Sequence, residues 1–264
     1  MLVLTPVAVA LMLASTPQVP VDAGSPAAPT QSGARQQTQV QPDPGDAQEP
    51  ADSERSVTGG VDVTVNSAFV WRGFVVCDST VVQPAAWVAI GPVTVTSWSN
   101  IARSAPSGRR WTEHDLTVDY SWTRGDYTVS AGWINYFFID QPSERFTNEL
   151  YVGVSHQGLV EPGVWVFQDV QAGSGTYILA SLGLTHEFQR SGIVLTSTLG
   201  LGYNHRLWMD ASGFSDTSLT VEAGIPTPVR GLVVRPIVGY SHAFRLPGLA
   251  SRFTWGISAS LEPW

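Results

Sequence analysis

Charged side chains are scarce in this chain. Only 14% of its 264 residues are Asp, Glu, Lys or Arg, whereas 43% are hydrophobic. The formal net charge of −8 argues against nucleic-acid binding through a basic surface. Cysteine is scarcer still, because Cys77 is the only one. An internal disulfide is therefore impossible, and we expect Cys77 to be an inert side chain in a loop.

Long hydrophobic runs and recognisable site motifs are also missing. Beyond the first residues, no window approaches the roughly eighteen consecutive apolar residues that predict a membrane-spanning helix. No set of His, Cys and Asp has the spacing of metal ligands, and no glycine-rich loop has the pattern that binds phosphate. We therefore predict neither a metal nor a cofactor.

The stretch 177–204 shows what the chain contains instead. Aliphatic side chains alternate with small or polar ones in each half, and a polar turn at 189–192 separates the halves. Successive side chains on a β-strand point to opposite faces, so this alternation predicts a β-hairpin. Each half approaches the length of about 9–11 residues that a tilted strand needs to cross a bilayer. One face is aliphatic, and it comprises Ile178, Ala180, Leu182, Leu184, Ile193, Leu195, Leu199, Leu201 and Tyr203.

The same alternation recurs from residue 57 onwards and predicts about twelve strands, an even number as in bacterial outer-membrane barrels. If the barrel starts in the periplasm, the short turns lie on one side and the longer loops on the other, which is the usual asymmetry of such barrels. A soluble β-sandwich offers no reason for this sorting. The short turns lie near Gly91, Arg124, Gln157, Arg190 and Pro226. The longer loops lie near Cys77, Ser104, Gln141, Ala211 and Pro247, and the short connection at 172–175 is the exception.

Several local features refine this prediction. We expect the first strand to continue to Gly73, and residues 102–112 and 207–215 to form loops. Pro236 lacks the amide that a strand ladder needs, so we expect a bulge or irregularity there. Aromatic side chains near strand ends are expected to form the interfacial girdles: Trp71, Trp122, Tyr127, Phe137, Phe138, Tyr203 and Phe253.

The N-terminal quarter of the chain has a different composition. Residues 1–23 contain the apolar core of a secretory signal, although its basic n-region is missing. Residues 24–56 are rich in Pro and Gln and have too few large apolar side chains to form a core. We therefore expect a signal segment, a disordered periplasmic linker over 24–56, and an outer-membrane barrel over 57–264.

Four segments of the predicted barrel resemble a known family. They are residues 69–73 (FVWRG), 113–121 (EHDLTVDYS), 125–133 (GDYTVSAGW) and 148–155 (NELYVGVS). Together they resemble the TorF family of porin-like Gram-negative outer-membrane barrels, over roughly residues 57–262. The resemblance implies an outer-membrane location and passive transport. It assigns no functional residues that could be carried over.

The C-terminus resembles the assembly signal of outer-membrane barrels only in part. Such barrels end in an aromatic residue that continues the lipid-facing alternation of the last strand. Trp264 is aromatic, but the lipid-facing positions of the last predicted strand are odd-numbered and Pro263 precedes it. We therefore expect the barrel assembly machinery to be a partner, although the terminal aromatic residue that it recognises lies one position out of the lipid-facing register.

In a closed barrel, the polar face of each strand points into the lumen. A mostly acidic lining favours cations or neutral polar solutes, so the predicted function is passive diffusion of small polar solutes through an outer-membrane channel. Arg72 is the most distinctive of these residues, because it carries a positive charge opposite an acidic majority. The predicted pore-lining residues are Asp62, Arg72, Asp115, Asp119, Glu149, Asp169, Glu187, Glu222 and Arg235.

Two alternatives to a channel stay open. Internal ion pairs could instead close the lumen, giving a structural or binding barrel without transport. Outer-membrane barrels can also hydrolyse or transfer acyl chains with Ser and His on the outer wall. The five histidines form no recognisable motif, so we predict no catalytic residues and no enzyme. The predicted partners are outer-membrane lipid, the assembly machinery and small polar solutes.

Overall fold

The computed structural model describes residues 57–104, 108, 110–140 and 145–262. The expected signal segment, the expected linker and the terminal Pro263 and Trp264 lie outside these residues. No helix in the described part of the chain is long and apolar enough to cross a membrane.

Twelve strands close into one antiparallel barrel, as the alternation predicts. Its first and last strands pair with each other, with Val61 opposite Leu261 and Asn66 opposite Gly256. Two further short strands form a separate hairpin between the first and second strands of the barrel. The strands are β1 (Val57–Asn66), β2 (Phe69–Trp71), β3 (Phe74–Cys77), β4 (Val81–Ile90), β5 (Val93–Ala102), β6 (Trp111–Arg124), β7 (Tyr127–Phe138), β8 (Phe146–His156), β9 (Glu161–Asp169), β10 (Thr176–Phe188), β11 (Ile193–His205), β12 (Ser212–Pro226), β13 (Leu232–Ala243) and β14 (Arg252–Leu261).

The outer surface of the barrel is apolar. In β10, the side chains of Leu182 and Leu184 are exposed, whereas those of Tyr177, Leu179 and Ser181 on the opposite face are buried. The same alternation exposes aliphatic side chains along the other strands, and only hydrocarbon can solvate such a band without cost. The exterior is therefore that of a transmembrane barrel.

Most of the aromatic side chains expected at the strand ends face outwards. The side chains of Trp122 and Tyr127 are exposed beside the short turn at 125–126. Those of Phe137 and Phe253 are exposed near longer loops. Trp71 and Phe138 contradict the prediction. Both are buried inside the barrel, because Trp71 belongs to the hairpin β2–β3 and Phe138 occupies an inward position of β7.

The connections differ in length between the two ends of the barrel. At the turn end they comprise residues 91–92, 125–126, 157–160, 189–192 and 227–231. At the loop end they comprise residues 67–80, 103–110, 139–145, 170–175, 206–211 and 244–251. The predicted sorting is confirmed, and by the usual asymmetry of outer-membrane barrels the loop end is external.

Several predicted boundaries were wrong. The first strand ends at Asn66 instead of continuing to Gly73, and β6 and β12 begin inside segments expected to be loops. At Pro236 the register with β14 continues without a shift, and the irregularity is a gap in the pairing with β12 between Ile237 and Val234. The register shifts in the barrel wall lie instead at Gly202/Tyr203 and Asn100/Ile101.

Candidate functional site

The segment after β1 folds into the barrel. We call Phe69–Cys77 the inner hairpin, because β2 and β3 pair with each other and not with the wall. Its sequence is apolar at consecutive positions, so both of its faces need burial, unlike those of a wall strand. Arg72 and Gly73 connect the two strands with φ angles of 50° and 84°. Positive φ at both central residues is typical of a tight hairpin turn, and Gly73 adopts it more readily than Arg72 does.

The wall opposite the inner hairpin is apolar on its inward face. Trp71 and Phe74 pack against inward side chains of β7–β10 and against Leu207 at the loop end. These wall residues are Ile134, Tyr136, Phe138, Tyr151, Phe167, Tyr177 and Leu179. The expectation of a polar inward face was therefore wrong for this part of the lumen. Inward aromatic side chains at alternate positions, such as Tyr136 and Phe138, were the signal that sequence reasoning missed.

The base of the inner hairpin packs against a different part of the wall. Phe69 and Cys77 form a second cluster with Val81, Trp98 and Ala102, and the Phe69 and Trp98 ring centroids lie 5.4 Å apart. Cys77 is buried on β3, so the prediction that it lies in a loop was wrong. Its sulfur lies 3.2 Å from the hydroxyl oxygen of Ser79.

Arg72 at the tip of the inner hairpin forms a buried ion pair with Glu149 of β8. Two parallel hydrogen bonds of 2.7 Å join its Nη1 and Nη2 atoms to the two carboxylate oxygens. Both side chains are almost completely buried, with exposed fractions of 0% and 1%. Tyr136 Oη also donates to Glu149 Oε1 at 2.9 Å. This bidentate geometry is the strongest form of charge-assisted hydrogen bond in proteins.

Three aromatic rings surround the Arg72 guanidinium. Its central carbon lies 4.3 Å from the ring centroid of Trp71 and 4.5 Å from those of Phe167 and Tyr177. Aromatic faces attract cations most strongly where water is excluded, as it is here. Tyr177 Oη donates in turn to Asp216 Oδ1 of β12 at 3.2 Å. The charge of Arg72 is thus compensated by one carboxylate and by the rings around it.

The inner hairpin also contacts the opposite side of the barrel. The amide of Ala250 donates to the carbonyl of Gly73 at 3.0 Å, which joins the tip to the 244–251 connection. A Cβ atom added at Gly73 would lie 2.9 Å from Cβ of Asp216. Near the base, Asp78 forms an ion pair with Arg252 of β14. With contacts to β5, β7–β10 and β12, the inner hairpin lies inside the barrel at the loop end and touches the wall on several sides.

The predicted pore-lining residues separate into distinct groups. Arg72 and Glu149 meet in the ion pair, and Arg72 lies on the inner hairpin instead of on the wall. Asp115 is buried opposite Tyr136 in the β6–β7 register. Asp169 accepts hydrogen bonds from Thr147 and from the Gln171 and Gly173 amides, so it organises the 170–175 connection.

The remaining predicted residues point inwards nearer the turn end. Asp62 is buried, Asp119 and Glu222 are partly buried, and Arg235 donates to Ser260 Oγ at 2.6 Å. Glu187 occupies an inward register position but is exposed at the turn-end mouth. We call the part of the lumen that these five residues face, Asp62, Asp119, Glu187, Glu222 and Arg235, the turn-end chamber, and four of the five are acidic. The pore-lining role of these residues stays a prediction.

Three serine–histidine pairs in the described residues bear on the hydrolase alternative: Ser99–His114, Ser212–His205 and Ser251–His242. Ser99 Oγ lies 2.9 Å from His114 Nδ1, and the two residues are directly opposite in the β5–β6 register. In the described part of the chain, no group of three or more His, Cys, Asp or Glu residues could hold a metal ion.

Comparisons with known proteins identify a fold. No family model matches the chain, and no curated protein sequence does. The KdgM porin has a similar structure, with a TM-score of 0.51 at 9% sequence identity over 76% of this chain and 98% of that one. The COG4313 outer membrane channel from Pseudomonas putida F1 gives 0.52 at 12% identity over 82% and 100%. The chain thus has the fold of outer-membrane channel barrels, and together with its apolar exterior this fold belongs in a Gram-negative outer membrane.

Proposed function

We propose that the protein is a porin-like channel for small polar solutes, with a preference for cations, that the inner hairpin holds closed at its loop end. The observation that carries the proposal is a tethered hairpin, inside the barrel, that does not pair with the wall. Asn66 and Val81 are already opposite each other in the β1–β4 register. The inner hairpin can therefore leave the lumen without separating any pair of wall strands.

The acidic turn-end chamber supports the expected selectivity. Asp62, Asp119, Glu187 and Glu222 contribute carboxylates, whereas Arg235 is the one basic residue that we assign to this chamber. Rings of acidic side chains concentrate cations and repel anions in narrow pores. Solute would cross this chamber between the two ends once the inner hairpin has left the loop end.

The closed state has to be the dominant one. Separating a buried ion pair such as Arg72–Glu149 costs about 3–5 kcal/mol. Each 1.4 kcal/mol corresponds to about tenfold in a population, so this cost alone limits the open state to about one molecule in 10² to 10⁴. We therefore expect wild-type openings to be brief and rare.

Planar-bilayer recording of the refolded protein tests the proposal. The matched variant replaces residues 67–80 with Asn-Gly, a two-residue turn that suits paired strand ends such as Asn66 and Val81. We expect rare openings in the wild type, continuous conductance in the variant, and reversal potentials that indicate cation preference in both. A correctly folded variant without conductance would contradict the channel.

A permanently closed structural barrel is the second candidate. The buried cluster around Trp71, Phe74 and Tyr136 favours it, since displacing the inner hairpin exposes these side chains to water. This candidate predicts no openings in the wild type at any voltage, together with conductance in the variant that lacks residues 67–80.

An acyl-ester hydrolase is the third candidate, and the Ser99–His114 pair is the observation that favours it. A Ser99→Ala substitution should abolish ester hydrolysis in detergent micelles if this pair is catalytic.

Membership of the TorF family is part of our proposal as well, and it is supported by the four sequence segments that resemble that family.

A further inference from the structure

We propose that the wall facing the inner hairpin is a binding site for organic cations of the guanidinium and alkylammonium class, which Arg72 occupies as a tethered ligand. The inference rests on the proposed channel function for its biological meaning, because these cations would then be solutes that open the channel. The binding site itself is a separate claim and can be measured without conductance.

The wall supplies most of the contacts to the guanidinium. Glu149 of β8 provides both carboxylate oxygens, and Tyr136 of β7 orients this carboxylate through its hydroxyl group. Phe167 of β9 and Tyr177 of β10 provide two aromatic faces, each 4.5 Å from the guanidinium carbon. Only Trp71 and the Arg72 side chain itself come from the inner hairpin.

The wall contacts would persist without the inner hairpin. Strands β7, β8, β9 and β10 are continuous neighbours in the barrel, with register pairs along their length. The backbone that positions Tyr136, Glu149, Phe167 and Tyr177 is therefore held by interstrand hydrogen bonds. Departure of Arg72 leaves a buried carboxylate beside two aromatic faces, a combination that attracts a cation.

The chemistry of the site favours a guanidinium over other cations. A planar guanidinium matches a carboxylate with two parallel hydrogen bonds, stacks on aromatic faces and is weakly hydrated. An alkylammonium retains the charge and the cation–π attraction but loses the paired hydrogen bonds. Sodium is strongly hydrated and gains least from the rings. We therefore expect the order of affinity to be guanidinium, then alkylammonium, then sodium.

Occupancy of this site would couple binding to opening. Arg72 and a free cation cannot both pair with the two oxygens of Glu149. A bound solute therefore displaces the tip of the inner hairpin and stabilises the open state by its own binding free energy. Because a short tether gives Arg72 a local concentration on the order of millimolar, a free competitor must be present at comparable concentration.

Chemical rescue of an Arg72→Ala variant tests the site directly. Ethylguanidinium chloride replaces the missing group at low millimolar concentration, and ethylammonium chloride and sodium chloride serve as matched probes. We expect ethylguanidinium to raise the unfolding temperature of the variant by several degrees relative to sodium chloride, and ethylammonium to raise it less. The same salts should shift the unfolding temperature of the wild type much less, because Arg72 already fills its site.

Two matched variants identify the binding residues. Addition of Glu149→Gln to Arg72→Ala should abolish the rescue. An Arg235→Ala variant removes a lumen arginine that donates a hydrogen bond to the Ser260 hydroxyl, and ethylguanidinium should not stabilise this variant. Equal stabilisation by all three salts, or rescue that survives Glu149→Gln, would overturn the proposal.

The variant in which Asn-Gly replaces residues 67–80 provides a second test should Arg72→Ala not fold. Binding of ethylguanidinium should then change the fluorescence of tryptophans near the vacated site. Titration of this change should give a dissociation constant for ethylguanidinium at least tenfold lower than that for ethylammonium. Absence of saturable binding would overturn the inference even if this variant conducts. Saturable binding without conductance would support the site and contradict the channel.

Discussion

The Arg72–Glu149 pair shows how one charged residue can be placed inside a hydrophobic cluster. Burial of an isolated charge is prohibitively costly, so both partners need hydrogen bonds. Glu149 receives three, two from Arg72 and one from Tyr136. The pair need not increase stability relative to apolar residues of the same volume, but it fixes where the tip of the inner hairpin lies.

Substitution of one partner alone should therefore be costly. We expect Glu149→Gln to lower the free energy of unfolding by about 3–5 kcal/mol, because Arg72 would be left buried without its counter-charge. Urea unfolding of the refolded barrel in lipid vesicles measures this change. The double variant Arg72→Met/Glu149→Met removes both charges and should lose less than the single variant. A single variant within about 1 kcal/mol of the wild type would contradict this account.

Gly73 offers a second prediction at the residue scale, with Gly91 as its matched control. Both have positive φ, 84° and 58°, so alanine at either position incurs backbone strain of about 1–2 kcal/mol. An added Cβ at Gly73 would also lie 2.9 Å from Cβ of Asp216, whereas at Gly91 nothing lies within 4 Å. We expect Gly73→Ala to destabilise the protein by about 1–3 kcal/mol more than Gly91→Ala in the same urea assay. Equal losses would show that the tip does not approach β12.

At the scale of the element, the inner hairpin is held by side chains instead of by a strand ladder. Its contacts to the barrel include two apolar clusters, one buried ion pair and hydrogen bonds that join Gly73 and Cys77 to connecting loops. Wall strands, in contrast, are hydrogen-bonded to a neighbour on each side. Local opening is expected where such ladders are absent, so the inner hairpin should move before any wall strand does.

Cys77 is a native probe of this motion. It is the only cysteine in the chain, and it is buried at the base of the inner hairpin. We expect a maleimide reagent to label it slowly in the wild type and at least tenfold faster in Glu149→Gln, because loss of the ion pair raises the open population. A Cys77→Ser variant with a cysteine at exposed Asp210 controls for reagent access. Labelling at the same rate in both Cys77 proteins would show that the ion pair does not hold the hairpin.

At the scale of the whole molecule, charge is distributed unevenly between the surface and the lumen. The outside is an aliphatic band, and the turn-end chamber is mostly acidic. A low-dielectric wall around such a chamber strengthens its electrostatic potential. Selectivity should therefore depend on the turn-end carboxylates and should weaken as salt screens them.

Ion selectivity tests this distribution. In the variant that lacks residues 67–80, we expect Asp119→Asn combined with Glu222→Gln to reduce the cation-to-anion permeability ratio several-fold. The control Asp210→Asn changes an exposed loop-end charge that is paired with Arg206, so it should leave the ratio nearly unchanged. Reversal potentials in a tenfold salt gradient provide the measurement. Unchanged selectivity in the double variant would place the filter elsewhere.

The barrel wall was predictable because its signal is local. Alternation along β10 and β11 decides which side chains face lipid, and the short turns at 91–92 and 125–126 set the register of their neighbours. Twelve strands, their sorting by loop length and the inward positions of Asp62, Asp119 and Glu149 all follow from this period of two. Each of these features depends only on residues a few positions apart.

The inner hairpin was not predictable in this way, and only the tertiary structure decides it. Phe69 continues the alternation of β1, so sequence alone extends that strand towards Gly73. Pairing of Asn66 with Val81 ends the strand early, and the apolar segment between them then packs against the apolar inward faces of β7–β10 and against Trp98 of β5. That choice depends on residues far apart in the chain, such as Arg72 and Glu149, which are 77 positions apart. The sequence by itself thus determined a twelve-strand transmembrane barrel with acidic residues inside it. Only the tertiary structure decided what occupies the barrel, because hydrophobic burial and ion pairing act between surfaces that only the closed barrel brings together.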